Sequence, residues 1–437
     1  RIMVRDMISP EIMRMIDMKT LSFLSLGAAL ALGVAGTLSV APALAAKKEK
    51  APEGPKLELS KEFRAAAGPI EAEIKAGKLD GAGAKLDALA AQFKLPDEQF
   101  IIGARRYELG RASNNTAELR KGVIAMIDSK STLNTNAAQL NAAAGQYAYN
   151  AQDFPDALAR LSEAVRLGNK DPDTLILMAE SSFRSNKFPE GLGYADRAVA
   201  AKKALGQAAP ADWYQRALSV AFKAKNPAEI AKWSRERVSA YPTPQNWRDA
   251  LLVYKDGAKL DGQPALDVMR LIRSAKALAG ERDYFEYAAL ASERGLPGEA
   301  KAVIEEGMAS GAIGKTSRPL NELLAAASLK VTGDLSSLAA SEKRATTDAA
   351  GKIAAGTADA YLGYGQDSKA APLYKLALQK GQVDNDAVNT RLGIALARQG
   401  QAAEAKQAFA AVTGPRAEIA KYWLLWLETK AQPAPAK

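Results

Sequence analysis

One stretch of this 437-residue chain has the residue types and spacing of a nucleotide-binding motif. Residues 309–316, Ala-Ser-Gly-Ala-Ile-Gly-Lys-Thr, fit the relaxed form of a phosphate-binding loop, with Ala in place of the first Gly. A working loop of this kind follows a strand and opens a helix, so that backbone amides face the phosphates. Here residues 299–308 read as a helix, and Pro319 stands where the next helix should begin. We therefore interpret 309–316 as a linker and expect no nucleotide and no other cofactor.

Composition excludes most other catalytic chemistry. The chain has no cysteine and no histidine, so a disulfide, a thiolate nucleophile, a Cys/His zinc site and an imidazole base are all ruled out. The neighbouring acids Glu305 and Glu306 do not converge on one substrate, because adjacent residues of a helix point about 100° apart. We expect a protein that is not an enzyme and that binds no metal.

Basic and aromatic residues are interleaved between residues 206 and 280. This segment holds twelve Lys or Arg against seven Asp or Glu, and three of the five tryptophans. Such a surface suits acidic peptides or glycans, since aromatic and Arg anchors dominate binding energy. Two alternatives to a binding surface stay open: the charged residues only form a solvated face, and the tryptophans only pack in the core. The overall charge of +10 either favours anionic partners or is an ordinary setting for solubility.

The elements that would position these residues repeat every 34 residues. Residues 153–158 are echoed at 187–192, and Trp213 and Trp247 stand 34 apart. Helical patterning is interrupted by Gly, Pro, Asn or Asp about every 14 to 18 residues. A period of 34 is typical of helix-turn-helix solenoids, whose units bury their apolar faces against one another. The sequence predicts an all-α fold.

Small and large residues within the repeats resemble those of the tetratricopeptide family. In that family, fixed positions of each repeat, called slots here, take either a small or a large residue. The first of two consecutive units has Ala144, Gly145, Ala148, Phe154, Ala157, Leu161 and Ala164 in these slots. The second has Ala179, Phe188, Gly191, Ala195 and Ala198. Looser units follow, including one from Pro319 with Gly333 in a slot. The resemblance implies a right-handed α-solenoid of about ten helix pairs, closed by a C-terminal capping helix.

The same resemblance implies a function in protein binding. In this family the first helix of each pair lines the concave groove. The expected contact residues are Gln146, Tyr149, Asn150, Glu180, Phe183, Arg184 and Tyr214, joined by Arg235, Arg237 and Arg248 from the basic segment. We predict a non-catalytic scaffold of the bacterial cell envelope that binds a protein or peptide partner. That partner could be acidic. We expect no binding of nucleic acid. The alternative is an accessory superhelical protein in cell-wall glycan processing, similar to soluble lytic transglycosylases.

The N-terminal region predicts export. Residues 18–45 combine a basic start, an apolar middle and a small-residue exit, which is typical of a signal peptide cleaved after Ala45. An uncleaved membrane anchor is the alternative. We expect a periplasmic or otherwise exported protein that meets the membrane only during export. The predicted segments are an upstream or mis-set start (1–17), the signal peptide (18–45), a flexible leader (46–56), degenerate repeats (57–131), the best-matching repeats (132–205), degenerate repeats with the basic aromatic segment (206–350), further repeats (351–415), the capping helix (416–430) and a disordered tail (431–437).

Overall fold

The computed structural model describes residues 57–431. This part of the chain contains twenty α-helices and no strand, so the predicted all-α class is confirmed. None of these helices combines the length and the apolar character needed to span a membrane. The predicted upstream segment, signal peptide and leader, and the predicted tail beyond Ala431, lie outside the described residues.

Two compact units make up the chain, divided between Ala208 and Ala209. Within each unit, consecutive helices pack against one another as in an α-solenoid. The right-handed sense of the solenoid stays a prediction. Unit 1 contains α1 (Lys61–Lys75), α2 (Ala82–Gln92), α3 (Pro96–Ala112), α4 (Thr116–Asp128), α5 (Ala137–Asn150), α6 (Phe154–Arg166), α7 (Pro172–Arg184) and α8 (Phe188–Ala204).

Unit 2 likewise consists of consecutive helices that pack against one another, and it ends in a short 3₁₀ turn followed by a last helix. Its helices are α9 (Ala211–Lys223), α10 (Pro227–Ala240), α11 (Pro244–Gly257), α12 (Gly262–Ser274), α13 (Gly280–Glu293), α14 (Pro297–Ala309), α15 (Arg318–Thr347), α16 (Lys352–Gly363), α17 (Asp367–Lys380), α18 (Asn385–Arg398), α19 (Ala402–Ala410) and α20 (Ala417–Ala431).

The hairpin of α5 and α6 shows how the repeated sequence makes its turn. Gln152 has a left-handed backbone (φ 61°), and the Asp153 carboxylate then accepts a hydrogen bond from the N–H of Asp156 (3.3 Å), which caps α6. Pro155 occupies the first turn, where no intrahelical donor is needed. Asn186, 34 residues after Gln152, is also left-handed (φ 58°). The repeated turn therefore accounts for the repeated spacing.

Small residues let the two helices of a hairpin approach closely. A Cβ atom added to Gly145 would lie 2.5 Å from the side chain of Leu161, and one added to Gly191 would lie 2.5 Å from the ring of Phe183. Ala157, which the repeat also places in a small slot, has no exposed surface. The small slots are thus contact points between facing helices.

Gly191→Ala is expected to lower the free energy of unfolding by about 1 to 3 kcal/mol, because the added methyl group overlaps Phe183. Gly193 lies two residues further along α8 and is exposed, and a Cβ atom added there would have no neighbour within 4 Å. Gly193→Ala should instead stabilise the protein by roughly 0.5 to 1 kcal/mol, since Ala is the better helix former. Chemical denaturation of both variants checks the pair. Equal effects would contradict the close contact.

The 30-residue helix α15 stands where the sequence predicted a helix pair from Pro319 onward. That prediction was wrong. Gly333, which has a slot in the expected pair, lies inside the unbroken helix. A single Gly costs a helix interior only about 1 kcal/mol relative to Ala, and the Leu, Ala, Ser and Lys residues around it contain no breaker.

Within each unit, some helices also contact the helix two places along the chain. In unit 1, α1 contacts α3, and α5 contacts α7. In unit 2, such contacts join α13 to α15 and link α14, α16, α18 and α20 in series. The predicted capping helix α20 packs on the terminal hairpin of α18 and α19, and it also contacts α10 and α12. The last helix of unit 2 therefore lies against two of the first four helices of that unit.

Candidate partner-binding surface and a buried charge cluster

Helices α5 and α7 lie side by side in unit 1 and carry the residues predicted there. Because the repeat is 34 residues long, Gln146 corresponds to Glu180 and Asn150 corresponds to Arg184. Asn150 and Arg184 are exposed, while Gln146 and Glu180 are half-buried. Gln146 Nε2 donates a hydrogen bond to Asn150 Oδ1 (3.1 Å). The structure thus places four polar side chains on neighbouring helices.

The two predicted aromatic contacts of unit 1 pack within their hairpins. The rings of Tyr149 and Phe154 meet edge to face, with centroids 5.8 Å apart. Phe183 is only 4% exposed and lies over Gly191. Both rings therefore stabilise the hairpins. Their contact with a partner stays a prediction, and Phe183 has little surface to offer it.

Tyr214 in unit 2 is a packing residue. It is 5% exposed and lies edge-on to Trp233 and Tyr241, with ring centroids 6.3 and 6.0 Å away. Burial raises the pKa of Tyr214 to about 12, and the nearby Glu236 carboxylate adds to the shift. The tyrosine therefore belongs to the aromatic core of α9 and α10.

The three predicted arginines of unit 2 are all paired within that unit. Arg235 pairs with Glu418, Arg237 lies 3.7 Å from Asp249, and Arg248 pairs with Asp283. The last pair is bidentate, with Nε and Nη2 of Arg248 donating at 2.6 and 2.8 Å. The charge count over residues 206–280 missed Asp283 and Glu418 because both lie beyond that window. Much of the local positive excess is thus used inside unit 2.

A buried charge cluster lies inside unit 2, and the sequence analysis did not predict it. Arg270 on α12 has no exposed surface and donates to Glu299 on α14 through Nε (2.8 Å) and Nη2 (2.5 Å). Arg270 Nη1 donates to Asp267 Oδ1 at 2.9 Å. The hydroxyl of Tyr287 donates to Glu299 Oε1 at 2.8 Å. One arginine is therefore held between two buried carboxylates.

The buried charge cluster reaches three further elements. Arg416, immediately before α20, donates to Asp267 Oδ2 at 2.6 Å. Arg391 on α18 lies 3.5 Å from Asp267 and donates to Asp359 on α16 at 2.7 Å. The cluster therefore joins α12, α14, α16, α18 and the start of α20.

Electrostatics keeps the Glu299 carboxylate charged. Burial alone would raise the pKa of Glu299, but the charge and hydrogen bonds of Arg270 lower it to about 2. The pKa of Arg391 is raised, since the attraction of Asp267 and Asp359 outweighs the effect of burial. A carboxylate held ionised in this way is a poor proton donor or acceptor near neutral pH. The arrangement suits the fixing of helix positions.

One sequence signal could have revealed the buried charge cluster. Residues 265–272 read Ala-Leu-Asp-Val-Met-Arg-Leu-Ile, so Asp267 and Arg270 interrupt an otherwise apolar helix. A helix that is apolar all round is buried, and charges on such a helix need buried partners. The partners Glu299 and Arg416 lie too far along the chain for a local pattern to identify them.

The motif at 309–316 lies between two helices. It begins at the last residue of α14, and α15 starts at Arg318, so it does not follow a strand. Across residues 57–431, no group of three or more acidic side chains is placed to hold a metal ion. The interpretation of 309–316 as a linker agrees with this location.

Comparison with known proteins gives structural neighbours only. No family model matches the chain, and no curated protein matches it. A tetratricopeptide repeat protein from Parabacteroides merdae is 10% identical over 75% of this chain and 98% of its own, with a TM-score of 0.27. The C-terminal part of a TPR repeat-containing protein from Cytophaga hutchinsonii is 12% identical over the same shares, with a TM-score of 0.28. Yeast Tom70 is 12% identical over 85% and 88%, with a TM-score of 0.22. The chain is similar to tetratricopeptide repeat proteins, as the sequence predicted.

Proposed function

We propose that this protein is a non-catalytic scaffold of the bacterial cell envelope, and that unit 1 binds a partner polypeptide along α5 and α7. The observation that supports this is the set of polar side chains at matching repeat positions, Gln146, Asn150, Glu180 and Arg184. Side chains that repeat on adjacent helices can contact an extended chain at regular intervals. Export rests on the predicted signal peptide at 18–45.

The chemistry of these side chains favours a polypeptide with both polar backbone and charged groups available. The Asn150 amide can donate to and accept from a peptide backbone. The exposed Arg184 can pair with a carboxylate. The arginines of unit 2 are paired with Glu418, Asp249 and Asp283, so Arg184 is the stronger candidate for an acidic contact.

Site-specific photocrosslinking tests the proposed surface. A photoreactive phenylalanine at position 150 should crosslink a defined polypeptide in envelope extracts, which mass spectrometry then identifies. The same residue at position 200, which is exposed on α8, should not crosslink that polypeptide. Equal yields from both positions would contradict the proposal.

Binding of the identified partner is then measured with two matched charge reversals. Arg184→Glu, in the last turn of α7, should raise the dissociation constant roughly tenfold, since it replaces an attractive contact by a repulsive one. Lys203→Glu is the control, because Lys203 is exposed in the last turn of α8. If Arg184→Glu binds as tightly as the control, the partner does not use this face.

A further inference from the structure

A cavity lies in unit 2 where the turn after α12 meets the end of α14. Its volume is about 450 Å³. Its walls come from the end of α12, the turn that follows, the first residues of α13 and the turn after α14. Ligand sites in proteins usually measure about 300 to 1,000 Å³, so this cavity has the size of a small-molecule site.

The lining of this cavity carries one positive charge in excess. Arg273 Nε donates to Glu306 Oε2 at 2.7 Å, so these two charges of the wall balance each other. Lys276 also lines the cavity and is exposed. Among residues 57–431, no side chain or backbone group pairs with the Lys276 ammonium. The lining therefore favours a ligand with a single negative charge.

A buried hydroxyl group lines the same cavity without a partner. Tyr284 is 4% exposed, and within the described chain its hydroxyl neither donates nor accepts a hydrogen bond. Its ring is fixed against α14, since a Cβ atom added to Gly307 would lie 2.8 Å from Tyr284 Cδ1. Buried hydroxyl groups in proteins are nearly always paired. Tyr284 thus offers a donor in the cavity wall for an acceptor atom of a ligand.

The rest of the wall suits an apolar ligand body better than a phosphate group. Leu278 and Ala312 are half-buried and contribute apolar surface. Ser310, Gly311 and Ala312 belong to the motif at 309–316, but they follow the C-terminal end of α14. Both α12 and α14 end at the cavity, and only α13 begins there. Because the C-terminal end of a helix carries partial negative charge, two such ends disfavour a doubly charged phosphate.

We propose that this cavity is a binding site for a small organic carboxylate. The carboxylate group accepts hydrogen bonds from the Lys276 ammonium and the Tyr284 hydroxyl. The apolar body of the ligand lies against Leu278 and Ala312. A carboxylate supplies the single negative charge that balances the lining, and its two oxygens can accept from two donors. The site is independent of partner binding by unit 1, because every residue of the cavity belongs to unit 2.

Saturation-transfer NMR of the purified protein with sodium hexanoate tests the site. Hexanoate combines one carboxylate with a short apolar chain, and hexanamide is its uncharged match. We expect saturable binding of hexanoate with a dissociation constant of about 1 mM or below. Hexanamide should bind roughly tenfold more weakly, since it lacks the charge that Lys276 attracts. If hexanoate shows no saturable binding, or if the two probes bind equally, the proposal is overturned.

Lys276→Gln should raise the dissociation constant of hexanoate roughly tenfold, because it removes the unpaired charge of the cavity. Lys259→Gln is the matched control. Both lysines are exposed and have a left-handed backbone in the turn after a helix (φ 55° for Lys276 and 49° for Lys259), but Lys259 does not line the cavity. The control should bind hexanoate like the wild type. Equal affinities of the two variants would show that hexanoate does not use Lys276, and the proposal would fail.

Tyr284→Phe tests the second donor without disturbing the fold. It should weaken the binding of hexanoate about fivefold, since it removes one hydrogen bond to the carboxylate. The melting midpoint should stay unchanged, because the hydroxyl has no partner within the described chain. An unchanged affinity would overturn the placement of the carboxylate beside Tyr284.

Inorganic phosphate distinguishes a carboxylate site from a general anion site. Phosphate added at the same concentration as hexanoate should leave saturation transfer to hexanoate unchanged, because the lining offers one net positive charge and no pocket for a second negative charge. Displacement of hexanoate by phosphate would show that the cavity selects by charge alone. That result would overturn the assignment to an organic carboxylate.

Discussion

Arg270→Met is expected to lower the free energy of unfolding by about 3 to 5 kcal/mol, because it leaves the buried carboxylate of Glu299 without its counter-charge and removes one of the arginines that pair with Asp267. Arg270 is completely buried and donates to Asp267 at 2.9 Å and to Glu299 at 2.8 and 2.5 Å. Methionine fills a similar apolar volume, so the loss reports the charge more than the packing. Urea denaturation followed by circular dichroism measures the effect.

The matched control is Lys375→Met. Lys375 pairs with Glu404 at 2.7 Å, but both side chains are about half exposed. Such a pair contributes roughly 0 to 1 kcal/mol. If Arg270→Met costs no more than this control, the buried charge cluster does not hold unit 2 together.

The stability difference between wild type and Arg270→Met should depend on pH, because of the shifted pKa of Glu299. Its pKa lies near 2 in the folded protein, below the ordinary value of 4.5. A carboxyl group with a depressed folded pKa contributes stability that is complete above the unfolded pKa and is lost as the pH falls through the folded pKa. The difference between wild type and Arg270→Met should therefore be largest above about pH 5 and shrink toward pH 2. A difference that stays constant over this window contradicts the pairing of Arg270 with Glu299.

Local features of the fold could be predicted from the sequence, because they depend on neighbours along the chain. The turn at Gln152 and Asn186, and the small slots at Gly145 and Gly191, recur at a fixed offset and contact only the adjoining helix. The continuous helix around Gly333 could not be predicted, since one slot residue does not decide between a turn and a helix interior.

The way unit 2 closes could not be predicted either. Arg416 and Asp267 are 149 residues apart, and a repeat period describes only nearest neighbours. The pairing of Arg235 with Glu418 likewise joins residues that are far apart along the chain. The acids that pair with Arg235 and Arg248 lie in later helices, so a count of bases in a short window could not show that these two arginines are paired. On α5 and α7 of unit 1, the predicted polar residues do share neighbouring helices.

Trp423→Ala is expected to lower the free energy of unfolding by about 3 to 5 kcal/mol, because it removes a large side chain from the core of unit 2. Trp423 has no exposed surface and stacks on Phe409 with centroids 5.8 Å apart and an interplanar angle of 12°. It also meets Trp426 edge to face at 5.5 Å. Phe222→Ala on α9 is the control, since Phe222 is half exposed and its loss should cost about 1 kcal/mol or less.

Hydrogen exchange locates the effect of Trp423→Ala. Because α20 contacts α10 and α12 as well as the terminal hairpin, loosening it should raise amide exchange in α10 and α12, far from Trp423 in sequence. Phe222→Ala should leave exchange in α20 unchanged. If exchange rises in α19 and α20 while α10 and α12 stay protected, α20 is only an end cap of the last hairpin. The closure of unit 2 would then depend on the buried charge cluster, through Arg416, and on the pair of Arg235 with Glu418.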